Sequence, residues 1–99
     1  MNQCLLIIFA VPAIEESLVD WLLENIVISG FSTMHGFGHG TRHSGLTLLE
    51  QVTGRQHRTQ FIIEISHAAS AVLISDLRNK FSGAGLHYML MPLMEAGKL

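Results

Sequence analysis

The segment Met34-His35-Gly36-Phe37-Gly38-His39-Gly40-Thr41-Arg42-His43-Ser44-Gly45 gathers the residues of this chain best suited to chemistry. It holds three of the six histidines and four of the nine glycines. Imidazole is both a metal ligand and a proton switch near neutral pH. Glycine permits backbone geometries and close approaches that other residues resist. His35, His39 and His43 are spaced by four. On a helix that spacing brings side chains together, but on a strand it spreads them over ~13 Å. Zn²⁺ needs its nitrogens at about 2.0–2.1 Å, so one extended strand cannot build a mononuclear site from this trio. The chain would have to curl at its glycines, or His57 would have to join from across a hairpin, or a neighbouring subunit would have to supply a ligand. Pairing centred near residue 48 sets His39 opposite His57, with Cβ atoms roughly 5 Å apart. The candidate metal ligands are therefore His35, His39, His43 and His57. The competing reading of each is an exposed or hydrogen-bonded side chain in a loop. His67 and His87 read as structural, one opening a helix and the other within the last strand.

Other chemistry finds less support. Ser44 beside His43, or Cys4 with a distant histidine, can be drawn as nucleophile and base, but no oxyanion-hole motif accompanies either. Gly36-Phe37-Gly38-His39-Gly40 is not a dinucleotide fingerprint, because no helix follows it. The methionines at 34, 89, 91 and 94 offer soft sulfur to Cu(I), and equally serve as packing on a sheet face. The expectation is a protein without catalytic activity.

Positioning these residues falls to a small, apolar frame. Hydrophobic residues make up 48% of the 99 and charged ones 14%, too few charges to cover the surface of a small monomer, so an oligomer hiding an apolar face is expected. The net charge of −2 gives no reason for nucleic-acid binding or attraction to an anionic membrane. Arg42, Arg55 and Arg58 against Glu50 nevertheless make residues 35–58 locally basic on an acidic body. One cysteine excludes an internal disulfide framework and fits a reducing compartment. The apolar start lacks a basic leader and is too short to span a bilayer. A cytoplasmic protein with no membrane insertion is expected.

Leu5 to Val11 is continuously apolar and reads as a central strand covered on both faces. Pro12 ends it and opens a helix, with Glu15 and Glu16 in the first turn. Ile14, Leu18, Trp21, Leu22 and Ile26 line one face of that helix, which runs roughly four turns and ends within 25–29. Phe31 to His39 reads as an edge strand bent or bulged at its glycines. Thr59 to Ser66 alternates, with Thr59, Phe61, Ile63 and Ile65 on its buried side. A second helix over 67–81 carries Ile74, Leu77 and Phe81, and Ser82-Gly83-Ala84-Gly85 ends it. Leu86 to Leu93 is the last strand. The order β-α-β-β-α-β is the split βαβ, ferredoxin-like plan of one α+β domain, with the first and third strands central and both helices on one face. Ile62 and the methionines at 89, 91 and 94 line the other face, to be buried in a trimer or dimer.

Gly30, Gly36-Phe37-Gly38, the return strand Phe61-Ile62-Ile63-Glu64-Ile65 and Gly83-Ala84-Gly85 together resemble the PII-like family of small trimeric signalling proteins over nearly the whole chain. The resemblance is closer to a PII-like group found beside heavy-metal efflux systems. It implies a T-loop-like arm at about 40–57, hinged at Gly36, Phe37, Gly38 and Gly40. It also implies a homotrimer and a ligand that biases the arm, in the efflux-linked group a divalent transition metal such as Zn, Cu, Ni or Co. The family's nucleotide residues are missing. His39-Gly40 stands where a glutamine helps hold Mg-ATP, and Ala84 and Leu86 stand where an acidic residue and a lysine are usual. Glu95-Ala96-Gly97-Lys98-Leu99 lacks the C-terminal arginines. Without these cations a triphosphate loses its charge-assisted bonds, so ATP sensing is not expected.

Arg42, Leu46, Leu48, Leu49, Arg55 and Arg58 give the arm both apolar and basic character, suited to a protein partner such as a transporter or regulator. Packing of those leucines on their own or a neighbouring subunit would leave the same pattern. The leading expectation is a PII-like trimeric regulator acting through its arm. The alternative is a metal-buffering protein with no signalling partner.

Overall fold

The apolar run near the start becomes the centre of a four-stranded sheet. The computed structural model describes residues 3–39 and 55–99. In chain order these form β1 (Gln3–Ala10), α1 (Pro12–Leu23), β2 (Phe31–His39), β3 (Arg55–Ser66), α2 (His67–Lys80) and β4 (His87–Pro92). The strand order is β2-β3-β1-β4 and every pairing is antiparallel. This is the ferredoxin-like βαββαβ plan, with β1 and β3 central as predicted.

Pro12 begins α1 at its first position, where a missing N–H costs no helix bond. Ile14, Leu18, Trp21 and Leu22 face the core as the spacing predicts. Ile26 does not: the helix stops at Leu23, about a turn early, and Ile26 is 97% exposed. The local cause is Asn25, whose Oδ1 accepts from Val27 N at 3.2 Å and turns the chain away from the helix. Ser66 caps α2 by accepting from Ala69 N at 3.2 Å. Such a cap contributes ~1 kcal/mol, whereas each fully buried Leu or Phe contributes ~1.5–3 kcal/mol. Packing of Leu73 and Leu77 therefore holds α2 in place more than its cap does.

The helices lie on one side of the sheet, α1 over β3 and α2 over β1 and β3. Under them Leu6, Ile8 and Ala10 of β1 meet Phe61, Ile63 and Ile65 of β3, and Leu18, Leu22, Leu73 and Leu77 close the cluster. Trp21 meets Phe81 edge-on at 5.8 Å across the helix layer. Cys4 is buried in β1 and unpaired. On the opposite side, Ile7 pairs with Ile62 and Met89, Leu5 with Met91, and Phe9 with Gln60, which faces Met34. The described chain lays no helix on that side. The central strands are thus covered on one face only, and Met34, Met89 and Met91 stay 40–51% exposed on the other. Met94 is not part of that lining, because β4 ends at Pro92 and Met94 lies beyond the sheet. Among the described residues no helix is long and apolar enough to cross a membrane.

Candidate functional site

The β2–β3 ladder outruns the helical layer, and the conspicuous residues of the sequence sit on that overhang. Its register is unbroken from Phe31 opposite Ile63 to His39 opposite Arg55. No bulge interrupts it, which corrects the bends predicted at the glycines. Gly36, Phe37 and Gly38, expected as a hinge, are regular ladder residues of β2. Neither glycine has a positive φ, a Cβ on Gly36 would meet nothing within 4 Å, and one on Gly38 would make only ordinary contacts. The ladder also keeps Arg55, Gln56 and His57 in β3, which shortens the predicted arm to residues 40–54. Gly40, Arg42, His43, Leu46, Leu48 and Leu49 lie outside the described residues.

The register corrects the histidine geometry as well. The hairpin centres on residue 47, so His57 faces Phe37 and His39 faces Arg55. His35, His39 and His57 share the helix-side face, but His57 is diagonal to the other two, where side chains start roughly 7–8 Å apart. Its ring instead packs on Phe37, with centroids 4.8 Å apart, and the Arg55 guanidinium lies 5.4 Å from the Phe37 centroid on the same ring. Arg58, on the other face, donates to His57 O and to Gln56 Oε1, both at 2.7 Å. Among the described residues no group of three His, Cys, Asp or Glu side chains is placed to hold a metal ion. His35, His39 and His57 therefore do not by themselves fit a divalent metal.

What the fold does assemble is a cluster missing from the sequence reading. Glu15, from the first turn of α1, reaches the sheet where burial runs out. Thr59 Oγ1 donates to Glu15 Oε1, and His35 Nε2 donates to the same oxygen at 2.8 Å. Thr59 is fully buried on the core face, and this bond satisfies its hydroxyl. The two donors, the Thr59 hydroxyl first and the His35 ring second, hold the Glu15 carboxyl below its ordinary pKa of 4.5. The His35 side chain is 74% exposed and that of Glu15 30%, so the pair sits at the mouth of a cleft rather than in the core. That cleft, about 370 Å³, is lined by Pro12, Glu15, His35, Gly36, His57, Arg58 and Thr59.

With Nε2 donating to a carboxylate, His35 keeps Nδ1 for a proton, a ligand or an ion. A carboxylate bound to one imidazole nitrogen orients the other in the same way in metal and proton-transfer sites. Among the described residues no serine or cysteine lines the cleft to act as a nucleophile, and the Thr59 proton is committed to Glu15. Thr59 had a usable signal, being the one polar residue on the buried side of an alternating strand. Glu15 had none beyond its place in a first helical turn.

The sequence profile of the family described as "Protein of unknown function (DUF3240)" matches residues 1–99, and the chain belongs to that family. A crystal structure of a DUF3240 family protein from Shewanella baltica is similar across 100% of this chain and 98% of that one, at 25% identity and a TM-score of 0.81. The structure of a proposed PII-like signalling protein from Thermus thermophilus is similar at a TM-score of 0.65 and 14% identity, covering 94% of this chain and 91% of that one. No curated protein matches the chain. The PII-like resemblance carried by Gly36-Phe37-Gly38 and Gly83-Ala84-Gly85 therefore holds for the fold.

Proposed function

We propose that this DUF3240 member is a non-enzymatic, PII-like regulator. It works as a cytoplasmic homotrimer and acts on a protein partner through residues 40–54. The observation that carries the reading is the clamped end of the β2–β3 ladder. A hairpin in regular register closes with two to five residues, yet fifteen residues join His39 to Arg55. A connection of that length in a small domain is more often functional than merely connecting. Here it holds Arg42, Leu46, Leu48 and Leu49, and it departs from a ladder fixed to α1 through Glu15, His35 and Thr59. The signalling role proposed for the Thermus thermophilus neighbour agrees with this use of the fold. The open sheet face with Ile62, Met89 and Met91 supplies the apolar surface a trimer would bury.

A divalent transition metal is the ligand proposed to bias the arm. Its remaining ligands would come from residues 40–54, where His43 lies, or from a second subunit. A switch of this kind requires only that the metal favour one arm state over another.

The test compares the intact chain with one lacking residues 44–54. Cross-linked capture of a transporter or regulator by the intact chain alone supports the regulator, and equal capture by both chains overturns it. Titration with Zn²⁺, Cu²⁺, Ni²⁺ or Co²⁺ under hydrogen exchange tests the metal. Binding that changes amide protection in 40–54 is expected. Binding without such a change points to buffering, and no binding removes the metal from the mechanism.

A further inference from the structure

The sheet edge opposite the histidine cleft carries a second, chemically different cavity. β4 lies at the margin of the helical layer, since α1 packs on β3 and α2 on β1 and β3. Between the end of α2 and β4 is a cavity of about 380 Å³. Its walls are Ile74 and Leu77 of α2 and Leu86, and its floor is Ile8, which is buried in the core. Gly83 and Gly85 shape one side, with φ of 79° and 74°, left-handed values that suit glycine and bend the chain around the opening. The size is at the small end for small-molecule sites, with room for on the order of ten non-hydrogen atoms.

The polar groups at the rim decide which molecules suit it. Arg78 Nη2 donates to Tyr88 Oη at 3.2 Å, and both residues line the cavity. Arg78 has no carboxylate partner among the described residues. A guanidinium carries five N–H donors in a fork that matches a carboxylate, and one neutral hydroxyl leaves most of them available. Arg78 is in the last turn of α2, where the helix dipole opposes an anion. That dipole amounts to roughly half a charge spread over the helix end, against a full charge in direct contact. The arginine therefore wins.

We propose that this cavity binds a small apolar monocarboxylate. The hydrocarbon body rests on Ile8, Leu77 and Leu86, and the carboxylate takes a paired hydrogen bond from Arg78. The residues named for the site include none of 40–54 and none of Ile62, Met89 or Met91, so its test is separable from that of the regulatory reading.

Methyl-resolved NMR on the full chain tests it, with phenylacetate as probe and neutral phenylacetamide as control. Phenylacetate should shift the methyl signals of Ile8, Leu77 and Leu86 saturably while leaving that of Ile26 in place. Phenylacetamide should bind about tenfold more weakly. Arg78→Gln, at an exposed side chain, should remove that acid-over-amide preference. Ile74→Phe, which fills the cavity from its rim, should abolish binding of both. Absence of saturable shifts, shifts centred away from these methyls, or equal affinity for acid and amide in the unmodified chain would each overturn the proposal.

Discussion

On one face of β1, Leu6, Ile8 and Ala10 are sealed under α1 and α2. On the other face their neighbours Leu5 and Phe9 stay partly exposed beside Met89 and Met91. The two faces differ little in apolar character but sharply in cover. Two helices suffice for one side of a four-stranded sheet, and this chain has no third layer among its described residues. At the centre of the uncovered face Ile7 is already buried by its neighbours, so the half-buried Ile62 beside it and the exposed Met89 and Met91 are the residues a second copy would bury. The closed face stabilises the fold and the open face is the one we propose for assembly, so substitutions on the two should fail in different ways.

The largest effect is expected on the closed face. Phe61 is the largest fully buried side chain, and Phe61→Ala should cost ~3–5 kcal/mol in urea unfolding. A comparable loss from Met89→Ala at subunit concentrations too low for association would erase the distinction between faces. Ile62→Lys probes the open face directly. It should lower the mass in solution while leaving the helical circular dichroism in place, because that side chain is only half-buried in the isolated chain and lies off the core face.

A smaller contrast separates two kinds of glycine. Gly83→Ala forces a left-handed residue and should cost ~1–2 kcal/mol. Gly36→Ala sits in ordinary strand geometry with open space around it, and should be neutral or stabilise by up to ~1 kcal/mol. A large loss at Gly36 would mean that this position needs a geometry only glycine supplies.

The smallest effect concerns Glu15, at the margin where cover ends. Its pKa is depressed in the folded chain, so its contribution to stability is present above the ordinary value of 4.5 and is lost as pH falls through the lower folded value. Glu15→Gln should therefore make the acid limb of the stability profile shallower. An unchanged acid limb would mean that the bonds from Thr59 and His35 do little.

The core was legible in the sequence because periodicity reports burial. Thr59, Phe61, Ile63 and Ile65 alternate as a half-buried strand must, and Leu18 and Leu22 recur at helical spacing. Ile26 misled because the same spacing continues past the Asn25 turn that ends the helix. Leu5 to Val11 suggested two covered faces, since an apolar run does not reveal whether its cover comes from the same chain. The strand Arg55–Arg58 was missed for the opposite reason: polar residues on an exposed overhang carry no burial pattern.

The histidine register was off by one residue at the hairpin centre. A fifteen-residue connection offers no turn chemistry to fix the pairing. A shift of that size keeps every side chain on its face but changes its partner, which put His57 on Phe37 instead of opposite His39. Glu15, His35 and Thr59 meet across 20 and 44 residues of sequence, a contact that only the fold creates.

Sedimentation equilibrium of the intact chain over a wide concentration range tests the assignment of the open face most directly. If a second and third copy cover Ile62, Met89 and Met91, the mass should hold at about three times the 10.9 kDa of one chain. A mass of 10.9 kDa at every concentration would contradict it.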